Sequence, residues 1–310
     1  MDVVCLGILV ADAIARPVGE LPDRGSLGLV EEISLHGGGC ALNTASALVR
    51  LGLSAGVVGK VGDDALGAFI LSLLNERDID RGGVITDPTV ATSASVVLVD
   101  AAGERTFLHL PGASARLRAE ELDRSHLFSG RCLHLAGALV LEALDGQPAA
   151  GLLADARSRG LLTSLDPVWD ATGRWERILP ALPHVDLFAP SLAEGRAITG
   201  KEEPVAVAWW LRERGVGAVV LKCGPSGCYV SGDEFEGAVQ ALPVTAVDST
   251  GAGDAFVAGL LYGRLTGWEL ERSARFANAV GALATTAVGA VEGVRGVQDT
   301  LDLAGLPAEP

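Results

Sequence analysis

Asp248-Ser249-Thr250-Gly251-Ala252-Gly253-Asp254-Ala255-Phe256 passes from a glycine-rich turn into an amphipathic pattern, because Phe256, Val257, Leu260, Leu261 and Leu265 recur at three- and four-residue spacings. The glycines therefore stand at a helix start. The first N–H groups of a helix lack intrahelical partners and lie at the positive end of its dipole, and glycine leaves them open to an anion. A carboxylate beside such a cradle, Asp254, has a chemical use there if it accepts a proton. A base next to an anion cradle points to phosphoryl transfer. The same residues also read as an ordinary tight turn with an acid well placed on the helix dipole, and the stretch alone does not choose between the two.

The chain has 310 residues, a length that suits one large α/β domain with an appendage. Its 24 Lys and Arg against 39 Asp and Glu give a formal charge of −15, which opposes attraction to nucleic-acid phosphates. Nucleic acid is not an expected partner. The five cysteines show no Cys-x-x-Cys spacing and no nearby His pair, so neither a zinc site nor a disulfide framework is expected. Met1 to Gly7 lacks a basic segment and reads as a first strand rather than a secretion signal. No stretch reaches the ~18 uninterrupted apolar residues of a membrane span. A reducing, cytoplasmic setting without a membrane partner is the expectation.

Val3 to Val10 has the continuous apolar character of a strand buried on both faces of a parallel sheet. Asp12 follows at its end, where ligands of open α/β sheets collect, although an Asp that only makes a turn fits as well. Residues 13–35, broken by Pro17, Pro22, Gly25 and Gly28, read as short strands outside the main sheet, as do the two β-rich runs of residues 92–110 around the loop Asp100-Ala101-Ala102-Gly103-Glu104. From about residue 130, apolar runs at 132–136, 161–165, 185–188 and 216–221 alternate with helical patterns. One helix opens at Pro148, and another holds Trp209 and Trp210, read as core packing. Such alternation predicts right-handed βαβ units and a parallel sheet covered on both faces.

Further glycine turns punctuate this pattern. His36-Gly37-Gly38-Gly39-Cys40-Ala41-Leu42-Asn43 leads into a helix ending near Leu51-Gly52, and Asn43 could either serve a polyol with its donor and acceptor or simply cap. Asp63 or Asp64 caps the next helix, and Lys60 before them has no assigned chemistry. Lys222-Cys223-Gly224-Pro225-Ser226-Gly227 is by itself a hairpin turn.

Two of these stretches together resemble the signatures of the ribokinase-like (PfkB) carbohydrate kinases. Asp248 to Phe256 is similar to Asp-Thr-Thr-Gly-Ala-Gly-Asp-x-Phe with Ser249 in place of Thr, and Gly38, Gly39 and Asn43 match Gly-Gly-x-x-x-Asn. Gly62 to Gly67 resembles a further family pattern, Gly-x-Asp-x-x-Gly. The resemblance spans nearly the whole chain. It implies a three-layer α/β/α fold with a mostly parallel central sheet, in a single domain covering residues 1–310, and a small β-sheet lid inserted at about 13–35 and 92–110.

The resemblance also assigns roles. Asp254 would be the catalytic base, and the amides of Gly251, Ala252 and Gly253 the anion hole. Asp12, Gly38, Gly39 and Asn43 would hold the acceptor, and Lys222, Gly224, Gly227 and Asn278 the nucleotide. Glu194 would hold magnesium through water, with a weakened site because Ser191 stands where the family has Asn. Asp248 and Thr250 are candidate ligands for a monovalent cation, potassium in some relatives, although Gly293 stands where some of those have a serine ligand. The implied activity is transfer of the γ-phosphoryl group of ATP, with magnesium, to a hydroxyl of a ribose-, fructose- or 2-keto-3-deoxygluconate-type acceptor. Several members form homodimers through the lid, so a lid-mediated homodimer is a candidate assembly. Two alternatives remain: a nucleoside acceptor, against which stand the few lid aromatics, Phe107 chief among them beside His109, and a binding protein without turnover. A Rossmann dehydrogenase is disfavoured because no Gly-x-Gly-x-x-Gly follows the first strand.

Overall fold

Alternation along the central strands builds two cores. In β1 (Val3–Gly7), Val3 and Cys5 join one hydrophobic cluster while Val4 and Leu6 join the other. Both faces of this sheet are therefore covered, as continuous apolar strands require. The computed structural model describes residues 1–101 and 103–308; Ala102, in the expected hairpin loop, lies outside them.

The chain runs through β1, β2 (Val10–Arg16), β3 (Glu32–Gly38), α1 (Cys40–Arg50), β4 (Ala55–Gly62), α2 (Ala65–Glu76), β5 (Asp80–Asp87), β6 (Ala94–Val99) and β7 (Arg105–Leu110). It continues through α3 (Arg124–Leu127), β8 (Cys132–Ala138), α4 (Gln147–Ser158), β9 (Leu162–Pro167), β10 (Leu187–Phe188), α5 (Leu192–Thr199) and α6 (Pro204–Arg212). β11 (Ala218–Lys222), β12 (Cys228–Ser231), β13 (Glu236–Val239), α7 (Ala252–Leu265), α8 (Leu270–Ala284) and α9 (Val297–Ala304) complete it. Nine strands form the main sheet in the order β13-β12-β11-β10-β9-β8-β1-β4-β5, parallel except for β12 and β13. Residues of α1, α2, α7, α8 and α9 pack on one face, and those of α3, α4, α5 and α6 on the other. No helix among the described residues is long and apolar enough to cross a membrane.

The lid is a separate four-stranded sheet, ordered β3-β2-β6-β7. Its composition differs from the expectation in one respect. The first apolar run ends as a main-sheet strand at Gly7, and Val10 begins the lid strand β2, so Asp12 sits on the lid and not at the end of β1. Register explains the lid's two faces, since paired residues share a face. His36, Asp12, Ser95 and His109 form one row across all four strands, and Leu35, Ala13, Val96 and Leu108 form the next, on the opposite face. The polar row carries the side that meets the body.

Trp209 departs from expectation, being 61% exposed, whereas Trp210 packs against the core cluster and also stacks under the Arg214 guanidinium. Lys60 is buried with its ammonium bonded to both carboxylate oxygens of Glu121 at 2.7 and 2.8 Å, a structural staple.

Where the lid joins the body, the backbone is held by side chains. Asp64 caps α2 through the Gly67 N–H and also accepts from the N–H and hydroxyl of Thr92, whose Oγ1 in turn accepts from the Gly62 N–H. Ser93 donates to the Pro111 carbonyl and accepts from the Ser114 N–H. Buried donors and acceptors of this kind lose their partners together when one side chain is deleted. We expect Thr92→Val to lower the unfolding free energy by about 1–3 kcal/mol, the cost of leaving a buried amide unpaired. Denaturant titration checks this, and a loss below ~0.5 kcal/mol would contradict the part given to these bonds at the junction.

Candidate active site

Two helices aim their first turns at one point. α1 starts after Gly39 (φ 90°) and α7 after Gly251 (φ 70°), and neither has a side chain capping its first amides. α2 and α5 differ, for Asp64 caps one and Ser191 the other. The left-handed turn at Gly251 is enforced from outside, because a Cβ there would lie 2.4 Å from the Ala290 carbonyl oxygen. The two first turns meet through one hydrogen bond: Asn43 Nδ2 donates to Asp254 Oδ2 at 2.9 Å, across 211 residues. Asn43 Oδ1 is buried without a partner, as expected of a group that waits for a ligand hydroxyl.

A second carboxylate and a cation complete this centre. Lys222, at the end of β11, donates from Nζ to Asp166 Oδ1 at 2.6 Å, at the end of β9. The same Nζ lies 3.3 Å from where a Cβ on Gly253 would stand, so the ammonium reaches the edge of the glycine cradle. Burial pushes the Asp254 carboxyl above the usual range, against the hydrogen bond from Asn43, the charge of Lys222 and a hydrogen bond with Cys40. Burial pulls Lys222 down, but the charges of Asp166, Glu194 and Asp254 outweigh it and the ammonium is held protonated. Asp166 is likewise pushed up by burial, with Lys222 opposing. Sequence reading missed the part of Asp166 and Cys40 in this cluster. An acid on the last turn of a parallel strand was the available signal for Asp166.

Each predicted residue can be placed. Asp12, Gly38 and Thr250 line a cavity of about 240 Å³ under the lid, with His36, Phe69, Arg77, Arg105, Asp248 and Glu292. Asp12 faces Gly38, where a Cβ would meet its Oδ2 at 2.1 Å. Burial pushes its carboxyl up, while the hydrogen bond from Ser95 and the nearby His109, His36 and Arg105 pull it back. Lys222, Gly224, Gly227, Ala252, Gly253 and Asn278 line a second cavity of about 520 Å³ on the other side of the cradle. Asn278 lies in its wall with its amide nitrogen bonded to the Val239 and Gln240 carbonyls at 3.0 and 3.1 Å, so that nitrogen supports the wall. Glu194 forms a capping box with Ser191, accepting from the Ser191 N–H at 2.7 Å, and its charge bears on Lys222 and Asp254. Asp248 accepts from the N–H groups of Thr250 and Gly289 and pairs with Arg105 at 2.6 Å. Arg105 in this position was not foreseen. Asp254 and Asn43 are buried at the meeting of the two helix starts and line neither cavity, so the arrangement brings a base, a cation and free helix amides close together, a set suited to moving an anionic group.

The buried base leaves a signature in stability. A carboxyl whose folded pKa is raised favours the folded state at low pH, and that contribution is lost as pH rises through the folded value. Asp254→Asn, which keeps the shape and can still accept from Asn43, is expected to melt about 1–4 °C higher than the wild type at pH 8. The gain should shrink towards pH 4. Calorimetry at both pH values tests this, and a wild type more stable than the variant at pH 8 would contradict it.

The chain is similar to known proteins along most of its length. The model of the pfkB family of carbohydrate kinases matches residues 1–295. Fructokinase-1 of Zea mays is 32% identical over 266 residues, covering 80% of this chain and 82% of the maize protein. The 2-dehydro-3-deoxygluconokinase of Bacillus subtilis is 31% identical over 297 residues, covering 91% of this chain and 89% of that one. In structure, the Arabidopsis thaliana ribokinase complexed with ribose and ATP superposes with a TM-score of 0.83 over 99% of both chains at 21% identity.

Proposed function

The chain belongs to the pfkB family of carbohydrate kinases, phosphotransferases acting on sugar hydroxyls with a ribokinase-like fold, and we propose that its acceptor is a neutral sugar of the fructose class. The observation that carries this reading is the pairing of charges in the acceptor cavity. Both arginines that line it already face a carboxylate: Arg105 pairs with Asp248 at 2.6 Å and Arg77 lies 3.5 Å from Glu292. Neither is left to receive the carboxylate of a sugar acid, whereas Asp12, which lines the cavity, suits hydroxyl groups. Likeness to the maize fructokinase supports the same choice. A nucleoside acceptor is disfavoured, since Phe69 is the one Phe, Tyr or Trp ring among the cavity's described lining residues and Phe107 of the lid is 56% exposed outside it.

In this mechanism the acceptor oxygen attacks the γ-phosphorus, the bond from that phosphorus to the bridging oxygen breaks, and ADP leaves with the electron pair. The hydroxyl proton passes to Asp254. A raised pKa makes this carboxylate a better base than an exposed Asp, and the Asn43 hydrogen bond fixes which oxygen points at the acceptor. The amides of Gly251, Ala252 and Gly253 and the Lys222 ammonium receive the charge spread over the transferred group. The larger cavity, with glycines at 224, 227 and 253 that keep side chains away, has room for the nucleotide. Magnesium, when bound with the nucleotide, would supply further neutralisation of the phosphates, and Glu194 is the acid that would hold its water shell. Asp248 needs no potassium to neutralise it, because Arg105 already does so. A serine ligand at position 293 has no room either, as a Cβ there would lie 2.1 Å from the Leu283 carbonyl oxygen.

The lid's outer face supports self-association. Ile33, Val96, Leu108 and Leu110 are between 45% and 73% exposed, an apolar patch that a second copy of the chain would cover. The cytoplasm is the setting in which ATP and such a substrate meet.

An ADP-release assay over fructose, ribose, 2-keto-3-deoxygluconate and adenosine, with and without potassium, tests the proposal. We expect fructose to exceed the sugar acid at least ~10-fold in kcat/KM, a difference of about 1.4 kcal/mol in transition-state binding. A preference for the acid would overturn the charge-pairing argument.

A further inference from the structure

The ion pair between Arg105 and Asp248 joins two parts of the molecule that must move relative to one another if the lid opens. Arg105 is the first residue of β7, an edge strand of the lid, and Asp248 opens the loop that ends in the glycine cradle. The guanidinium is 22% exposed and the carboxylate only 4%. Asp248 has a second task, because its Oδ1 accepts from the Thr250 N–H at 2.9 Å and its Oδ2 from the Gly289 N–H at 3.0 Å. It thereby ties the cradle loop to the loop whose Ala290 presses on Gly251. One carboxylate thus holds the lid, the cradle and the wall behind the cradle.

We propose that Arg105 is a positioning residue: with the lid closed over the acceptor, its contact with Asp248 sets the cradle loop in its phosphoryl-receiving form. Arg105 touches neither reacting atom in this account. It acts through Asp248, so that the amides of Gly251 to Gly253 are aligned when the acceptor cavity is covered. A cradle set only under a closed lid limits transfer of the phosphoryl group to water. The proposal rests on the kinase reading for its effect on turnover, but the coupling between lid and loop stands on the ion pair alone.

The test uses Arg105→Met, Arg105→Lys, Asp248→Asn and the Arg105→Met/Asp248→Asn double variant, with Arg16→Met as control. Arg16 lies in the same lid, in an exposed pair with Glu32, and touches neither cavity. For Arg105→Met we expect kcat/KM for the sugar to fall about 10–100-fold and KM for ATP to stay within about threefold. ATP hydrolysis without sugar should rise relative to transfer. Arg105→Lys should recover part of the loss, and the double variant should lose little more than the worse single variant, because the two side chains act as a unit. Hydrogen exchange supplies a readout that needs no activity: Arg105→Met should speed exchange both in β6 and β7 and at residues 248–253. Unchanged exchange in the cradle would overturn the proposal, as would a sugar kcat/KM equal to that of the wild type. A wild type that phosphorylates no sugar, with both segments still loosened in Arg105→Met, would refute the acceptor reading and leave the coupling intact.

Discussion

The structure depends on the bond from Asn43 to Asp254. Helix starts repel one another through their positive ends, and a carboxylate between two of them offsets part of that repulsion, although its burial disfavours the charge. Asp254 is that group. It is buried and accepts from the first turn of the other helix, so one carboxylate lies at both helix starts. The packing of α1 on α7 above the central strands, through residues such as Leu42, Ala45, Val257 and Leu261, fixes the angle at which these first turns meet. Buried apolar area does the positioning, and the polar atoms at the ends do the chemistry.

Around this point the fold sorts charge with care for a chain of formal charge −15. Four acids, Asp166, Glu194, Asp248 and Asp254, stand at or near the strand ends where phosphates would enter. Lys222 answers three of them and Arg105 the fourth. Without those cations the cleft would repel a nucleotide more strongly, and with them part of its negative charge is offset beside the helix-start amides. The lid follows the same logic, with a polar row turned towards the acceptor cavity and an apolar row turned away from the body.

The two glycine signatures were legible in the sequence because they are local: a turn, a helix start and a polar residue one turn in are all written within nine residues. They point to the family and the layered fold, while the bond that joins Asn43 to Asp254 shows only in the structure. What stayed hidden depends on distance or on breaks that periodicity does not see. Ile8 and Leu9 continue the apolar run of β1, so nothing local marks the crossing into the lid that carries Asp12. β5 begins Asp80-Arg81-Gly82-Gly83, a loop-like run whose pairing with β4 is tertiary. Arg105 reads as a surface residue of a hairpin until its partner, 143 positions later in the chain, is brought beneath it. Trp209 lies in a helix read as core packing, but its place on α6 faces outward.

If Asp254 is the base and Asn43 steadies its charged form, removing the amide must make the carboxylate harder to ionise. The measurement is the pH dependence of the single-turnover rate of phosphoryl transfer in the wild type and in Asn43→Ala. The account predicts that the acidic limb of the profile moves to higher pH in the variant, with transfer still detectable above it. An acidic limb that stays in place, or moves to lower pH, would mean that another group accepts the proton.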